Sequence, residues 1–370
     1  MKILITYRSF ENKYGGPTYS IPMLALALSK YKITIGIWAP DNSSLLLDNL
    51  SNNKNIFLLI GTFKYAISKF GKPDLIHDNG IWLPINYKVT SYARSNNIPY
   101  IISIRGMLLP FALSQKKYKK KLAFLLYQKN AMNNAISLHS TSEYETKSII
   151  NNGINTRVFN VPNGMNIPEI DKSISQEKKL TALFLGRIHP HKGLSMLINA
   201  WNIIRPTNWK LRIAGPNENF HQEEIQELIN GFGLSSSISF IGEVKGKVKR
   251  NEFLSASLFI LPSYSENFGV AIAEALSYGL PVITTNTTPW RELQTFKCGW
   301  WVEPSTDSIS AAMEAAFEKK SSELYSMGLR GRKLIKENYS WDNIAQKIFK
   351  EYVRSVNAFN KALLDSKYNS

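Results

Sequence analysis

Cysteine is almost absent from this sequence: Cys298 stands alone among 370 residues. One thiol cannot close an internal disulfide, and no cysteine pair exists to hold a structural metal. Such usage fits a reducing compartment. Long apolar runs are missing as well. No window approaches the roughly 20 apolar residues of a membrane span. The run Lys2-Ile3-Leu4-Ile5-Thr6 is too short for a signal-peptide core and is soon followed by Arg8. It reads as a buried first strand, and the protein is expected in the cytoplasm. Acidic residues are in deficit, 28 against 45 Lys and Arg, which leaves a net charge of +17. That excess points to an anionic partner or to scattered solvated lysine. Its densest cluster is Lys116, Lys117, Lys119, Lys120 and Lys121.

What is present is an ordinary folded composition, 44% hydrophobic, on a chain long enough for two domains. Short apolar runs at 2–6, 33–38, 56–60, 74–77, 99–104 and 136–139 predict strands, as do 180–185, 210–214, 237–241, 258–261 and 281–284. Helical periodicity lies between them, for example over Ile21–Ser29, Leu194–Trp201 and Ala271–Ser277. This alternation predicts parallel α/β sheets. The pattern pauses between Gly164 and Lys179, where Asn166, Pro168, Asp171, Ser173, Ser175 and Gln176 read as a linker. The expected division is 1–168, 169–340 and a terminal segment 341–370. The terminal helix, from Trp341, is expected to pack back on the first domain.

In open parallel sheets, ligands bind beyond the carboxyl ends of the strands. The first strand leads to Gly15-Gly16-Pro17, either a tight turn or a close backbone approach to phosphate. The strand at 180–185 leads to Arg187 and Lys192, two cations that either flank a diphosphate or sit in an exposed turn. His189 and His191 beside them lack a neighbouring carboxylate or cysteine and read as exposed loop histidines. The strand at 258–261 leads to Glu266, Asn267, Phe268 and Gly269 at a helix start, where free N–H groups favour an anion. Glu274 lies over one turn inside that helix, roughly 6–8 Å along its axis. It is set in the apolar run Ala-Ile-Ala-Glu-Ala-Leu. A buried carboxylate there needs a partner, and sugar or ribose hydroxyls suit it. No Asp-x-Asp pair occurs anywhere, so diphosphate charge would fall to Arg187, Lys192 and helix amino termini rather than to a metal.

At this point the chain resembles the GT-B retaining glycosyltransferases of family 4, the group 1 glycosyltransferases, of bacterial surface-polysaccharide type. The resemblance rests on Gly15-Gly16-Pro17, Asp74-Leu75-Ile76-His77-Asp78-Asn79-Gly80, Arg105-Gly106-Met107, Pro162-Asn163-Gly164, Gly186-Arg187 through Lys192-Gly193, and Ile213-Ala214-Gly215-Pro216. It rests most on Glu266 and Glu274 with seven residues between them, and Cys298-Gly299-Trp300-Trp301 marks the subgroup. It implies two Rossmann-like domains with parallel sheets facing across a cleft. It implies that Gly16, Arg187 and Lys192 meet the donor diphosphate, Glu266 the transferred sugar and Glu274 the ribose. Asn163, Gly215, Asn267, Phe268 and Gly269 would complete the donor site, and Glu243 and Val244 would lie near the base. His77 and Arg105 would stand on the acceptor side. The family often has His-x-His where this chain has His77-Asp78-Asn79, so Asn79 stands where the second histidine usually meets the sugar. Asn can donate a hydrogen bond but carries no proton charge.

The implied reaction moves a hexose or N-acetylhexosamine from a nucleoside-diphosphate sugar, with uridine the expected base, to a lipid-linked or polysaccharide acceptor. No metal or other cofactor is expected. A polyprenyl-diphosphate carrier agrees with Lys116–Lys121 followed by Leu122, Leu125 and Leu126, which form either a basic amphipathic helix on the inner membrane face or a surface helix with its apolar side in the core. A sugar-nucleotide epimerase and a non-catalytic sugar-nucleotide-binding protein are the alternatives. No nucleic-acid-binding module is present.

Overall fold

The computed structural model describes residues 1–11, 16–41, 50–170, 180–218 and 220–368. Gly15, and the linker residues Asp171, Ser173, Ser175 and Gln176, lie outside them. Two compact units result: Met1–Gly164 with Trp341–Ser370, and Met165–Ser340.

The first unit is built on β1 (Lys2–Thr6), β2 (Thr34–Ala39), β3 (Ile56–Ile60), β4 (Leu75–Asn79), β5 (Tyr100–Ser103), β6 (Ser137–Ser140) and β7 (Val158–Asn160). They pair in the order β3-β2-β1-β4-β5-β6-β7, all in parallel. The register sets Ile3 between Ile35 and Leu75. Helices cover both faces, which is why β1 reads as an unbroken apolar run rather than an alternating one. The second unit repeats the plan with β8 (Thr181–Leu185), β9 (Lys210–Ala214), β10 (Ile238–Gly242), β11 (Leu258–Leu261), β12 (Val282–Thr285) and β13 (Gly299–Val302). Their order is β10-β9-β8-β11-β12-β13. Two edge strands, β7 and β13, go beyond the sequence expectation. β7 is only three residues long and ends on Asn160, and β13 opens on Gly299 and is half-buried throughout, so neither reads as a fully buried apolar run.

The order of connections matters for function. In each sheet the chain first builds outward on one side, then returns to the other side of its first strand. The reversal falls between β1 and β4 in one unit and between β8 and β11 in the other. At such a switch point the flanking loops part and leave a crevice at the carboxyl ends. The last helix, Trp341–Tyr368, belongs to the first unit. Trp341, Ile344, Ala345, Ile348 and Tyr352 recur at helical spacing and are buried with Ile21, Leu24 and Leu28 of the helix Gly16–Leu28. No helix among the described residues is long and apolar enough to cross a membrane.

Candidate active site

In the second unit, β8 and β11 lie side by side and their following loops are tied together. Tyr264 N–H donates to the His191 carbonyl at 2.9 Å, and the buried Ser263 hydroxyl reaches the same oxygen at 3.0 Å. The Thr287 hydroxyl donates to the Ser263 carbonyl at 2.8 Å. These bonds bring Lys192, at the end of the turn Pro190–Lys192, against Glu266. The two form an ion pair in which the side chains are 16% and 13% exposed. Gly269 then caps the helix Val270–Ser277 in the left-handed region at φ 77°, a conformation that suits glycine. The first N–H groups of a helix lack intrahelical partners, so donors without such partners open beside Glu266. One turn on, Glu274 accepts from Lys249 Nζ at 2.6 Å. Phe268 is buried against Trp290 and Tyr339, and its carbonyl accepts from Trp290 Nε1 at 2.6 Å. It anchors the loop through its side chain.

Arg187 turns away from Lys192. Its Nη1 meets both carboxylate oxygens of Glu218 at 2.9 Å, and the side chain is 60% exposed. His189 and His191 are half-buried rather than exposed, with rings stacked 5.5 Å apart. Glu243 pairs with Lys245 on the surface at 2.8 Å, and Val244 packs against the core. Among the described residues, no three metal-ligating side chains converge.

In the first unit, the carboxyl end of β4 carries a buried polar network. Asn79 donates to the Thr6 and His77 carbonyls, each at 3.2 Å. Its Oδ1 accepts from Arg105 Nε at 3.1 Å and Nη2 at 2.7 Å. Arg105 continues to Asn163 Oδ1 at 2.9 Å. Asp78 accepts from Thr6 Oγ1 at 2.6 Å and from Asn86 Nδ2 at 3.0 Å. Burial pushes its carboxyl up to about 7 against those bonds. Gly16 is exposed at the start of its helix.

A hydrogen-bonded chain runs through His77. His139 Nε2 faces the Val161 carbonyl at 2.7 Å, an acceptor only, so that nitrogen carries the proton. Ser103 Oγ therefore donates to His139 Nδ1 at 2.6 Å. His77 Nε2 donates to Ser103 Oγ at 2.7 Å, and Tyr352 donates to His77 Nδ1 at 2.6 Å. Every proton in the chain is placed by that one carbonyl. Burial holds both rings neutral, His77 well below the usual range and His139 down to about 3.

The sequence profile of the family Glycosyl transferases group 1 matches residues 166–348. The chain belongs to the group 1 glycosyltransferases. It is 28% identical over 206 residues to the GDP-mannose:cellobiosyl-diphosphopolyprenol alpha-mannosyltransferase of Komagataeibacter xylinus, covering 54% of this chain and 50% of that one. It is 29% identical over 219 residues to an uncharacterized glycosyltransferase of Methanocaldococcus jannaschii, covering 53% and 55%. The matched part thus spans about half the length of these two relatives. Sucrose-phosphate synthase from Thermosynechococcus elongatus superposes with a TM-score of 0.75 at 17% identity, over 96% of this chain and 99% of that one. Anabaena HepE in complex with UDP-glucose superposes at 0.74 and 17%, over 96% and 100%. These likenesses show the GT-B fold.

In this group 1 glycosyltransferase, the structure brings Lys192 to Glu266 and joins Asn79, Arg105 and Asn163. Arg187 is paired with Glu218 rather than with that carboxylate. His77 is enclosed with both ring nitrogens bonded, so it positions the sheet rather than meeting an acceptor. The sequence reading missed Glu218 and Lys249. Lys249 lies three residues into the helix Gly246–Ser255 and nothing local marks it.

The neutral histidines predict a pH response of the glycosyltransferase's first unit. The unfolded chain protonates His139 below about pH 6.5, whereas the native ring does so only near 3. Stability therefore falls on acidification through that window, by about 1.4 kcal/mol per pH unit for this ring. Asp78 acts in the opposite sense: its native carboxyl stays protonated up to about 7. A comparison with His139→Gln isolates the ring. The stability gap between wild type and variant, measured by urea unfolding, should narrow as pH drops from 6.5 to 4. Parallel curves would refute the assignment.

Proposed function

We propose that this chain moves a sugar from a nucleoside-diphosphate donor to a lipid-linked or polysaccharide acceptor with retained anomeric configuration. The observation that carries the reading is the second unit's switch point, where Lys192–Glu266 and Lys249–Glu274 flank one helix amino terminus. In the proposed donor complex the diphosphate replaces Glu266 as the partner of Lys192, and the freed carboxylate accepts from the sugar hydroxyls. Glu274, steadied by Lys249, takes the ribose hydroxyls, and Asn267 and Gly269 line the loop. Arg187 leaves Glu218 for the diphosphate. Gly215 supports the donor loop within the second unit, and a donor role for Gly16 and Asn163 of the first unit rests on the family resemblance alone.

In the proposed chemistry, the bond from the acceptor oxygen to the anomeric carbon forms as the bond from that carbon to the phosphate oxygen breaks. The acceptor's proton passes to the leaving diphosphate. Lys192 and Arg187 stabilise the charge that builds there, and Asn79 is held by Arg105 on the acceptor side. Uridine as the base has support from Anabaena HepE, whose structure holds UDP-glucose. A lipid-linked acceptor has support from the name of the Komagataeibacter relative.

A membrane-surface site is part of the proposal. The segment Lys117–Ala123, the π-helical turn Phe124–Gln128 and Lys129–Asn133 are continuous. Leu122, Leu125 and Leu126 are 59%, 69% and 71% exposed, and Tyr118 is 86% exposed. The apolar residues stay exposed rather than entering the core, which supports the membrane-surface reading over the surface-helix one. An exposed apolar row among lysines suits an anionic bilayer.

The test is a donor screen in which purified protein meets a panel of nucleotide sugars. Nucleoside diphosphate release should appear with one donor and rise with a lipid-linked acceptor, and the product anomer should match the donor. Absence of release with every donor and acceptor would sink the reading. Glu274→Gln should raise the donor KM by about tenfold or more, the worth of a hydrogen bond to a charged group, with kcat little changed.

A further inference from the structure

Beside the exposed leucine row, the first unit contains a cavity of about 410 Å³. Trp82, Leu113 and Phe124 line it, with the Trp82 and Phe124 rings 6.2 Å apart. Lys117, Lys120 and Lys121 line it too. Lys117 and Lys121 are exposed, so they stand at its solvent side, whereas Lys120 is half-buried. Lys120 Nζ donates to the Ala112 carbonyl and lies 5.9 Å from the Trp82 ring centre. Burial and neighbouring Lys116 pull its ammonium below the usual lysine range, a cost that an anion beside it would relieve.

Trp82 is held there at a price in backbone strain. Its φ is 80°, a region that bulky residues rarely adopt. Three bonds keep it in place. Its N–H donates to Gln128 Oε1 at 2.9 Å, its carbonyl accepts from the Tyr127 hydroxyl at 2.6 Å, and Nε1 donates to the Met107 carbonyl at 3.3 Å. Two of these partners, Tyr127 and Gln128, lie in the π-helical turn, itself an uncommon element found often at functional sites. Folding thus spends strain to present an indole to a cavity ringed by cations.

We propose that this cavity binds a phosphorylated lipid, the first part of its chain against Trp82, Leu113 and Phe124 and its phosphate among Lys117, Lys120 and Lys121. The proposal rests on the lipid-linked acceptor reading and assigns the acceptor's carrier end to a site apart from the reacting sugar. An apolar wall alone would take any hydrocarbon, and lysines alone any anion. Their juxtaposition selects a molecule that carries both.

Calorimetry on the full chain tests it, with dodecyl phosphate below its micelle concentration as the probe. Dodecyl maltoside carries the chain without the charge, and inorganic pyrophosphate the charge without the chain. Dodecyl phosphate should bind about tenfold or more tightly than either. The exposed-site double variant Lys117→Gln/Lys121→Gln should weaken it about tenfold, and Leu113→Trp, which fills the cavity, should abolish it. Equal binding of the maltoside overturns the proposal, as does pyrophosphate binding as tightly as the lipid phosphate, or undiminished affinity in the lysine variant. Donor turnover is followed in the same preparations. Turnover without dodecyl phosphate binding removes the cavity proposal and leaves the transferase reading standing; the converse result removes the transferase reading alone.

Discussion

Lys192→Ala should lower turnover by roughly 10²- to 10³-fold, the scale on which single preorganised donors act on developing charge. The side chain is 16% exposed and already faces a carboxylate that is 13% exposed. In such a setting a charge interacts more strongly than in water, and its position is set before the donor arrives. Lys192→Arg should recover part of the rate, since the charge returns while the geometry changes. Lys192→Ala also leaves Glu266 half-enclosed without its cation, so some stability is lost. Thermal unfolding separates the two effects: the variant must remain folded while kcat falls. A folded variant that releases nucleoside diphosphate at the normal rate would end the assignment. Arg187→Ala should also reduce turnover sharply, though Arg187 must first leave Glu218. Glu218→Gln, which releases it, should leave turnover near normal.

Gly215→Ala should destabilise the second unit by about 3–5 kcal/mol, near the upper end for a single substitution. Gly215 follows β9 at φ 148°, and a Cβ there would lie 1.7 Å from the Gly186 carbonyl oxygen. That oxygen belongs to backbone and has no rotamer to yield. Gly186 N–H is bonded to the Ala214 carbonyl at 3.0 Å, and Gly215 N–H to the Gly242 carbonyl at 2.9 Å, so three loops would shift together. One of them carries Arg187. Gly16→Ala is the matching control. A Cβ at Gly16 meets nothing within 4 Å, so stability should change by less than about 1 kcal/mol and in the favourable direction within a helix. Chemical denaturation of both variants decides the matter. A Gly215→Ala protein as stable as wild type would show that the loops have room the structure does not contain.

Much of this was open to reading along the chain. Strands such as Ile56–Ile60 and Leu258–Leu261 announce themselves as short apolar runs, because parallel strands are buried on both faces. Glu266, Gly269 and Glu274 fall into place around one helix start for an equally local reason, since turn chemistry and a 3.6-residue period act over a few positions. The partners of those charges did not follow. Glu266 meets Lys192 across 74 positions and Glu274 meets Lys249 across 25, pairings set by which strands stand at the switch point. His77 is expected on the acceptor side, and Tyr352, 275 positions away, closes over it. Leu122, Leu125 and Leu126 have the same helical spacing whether they face a core or a bilayer. Periodicity names the apolar side of a helix, and only the packed neighbours determine whether anything covers it.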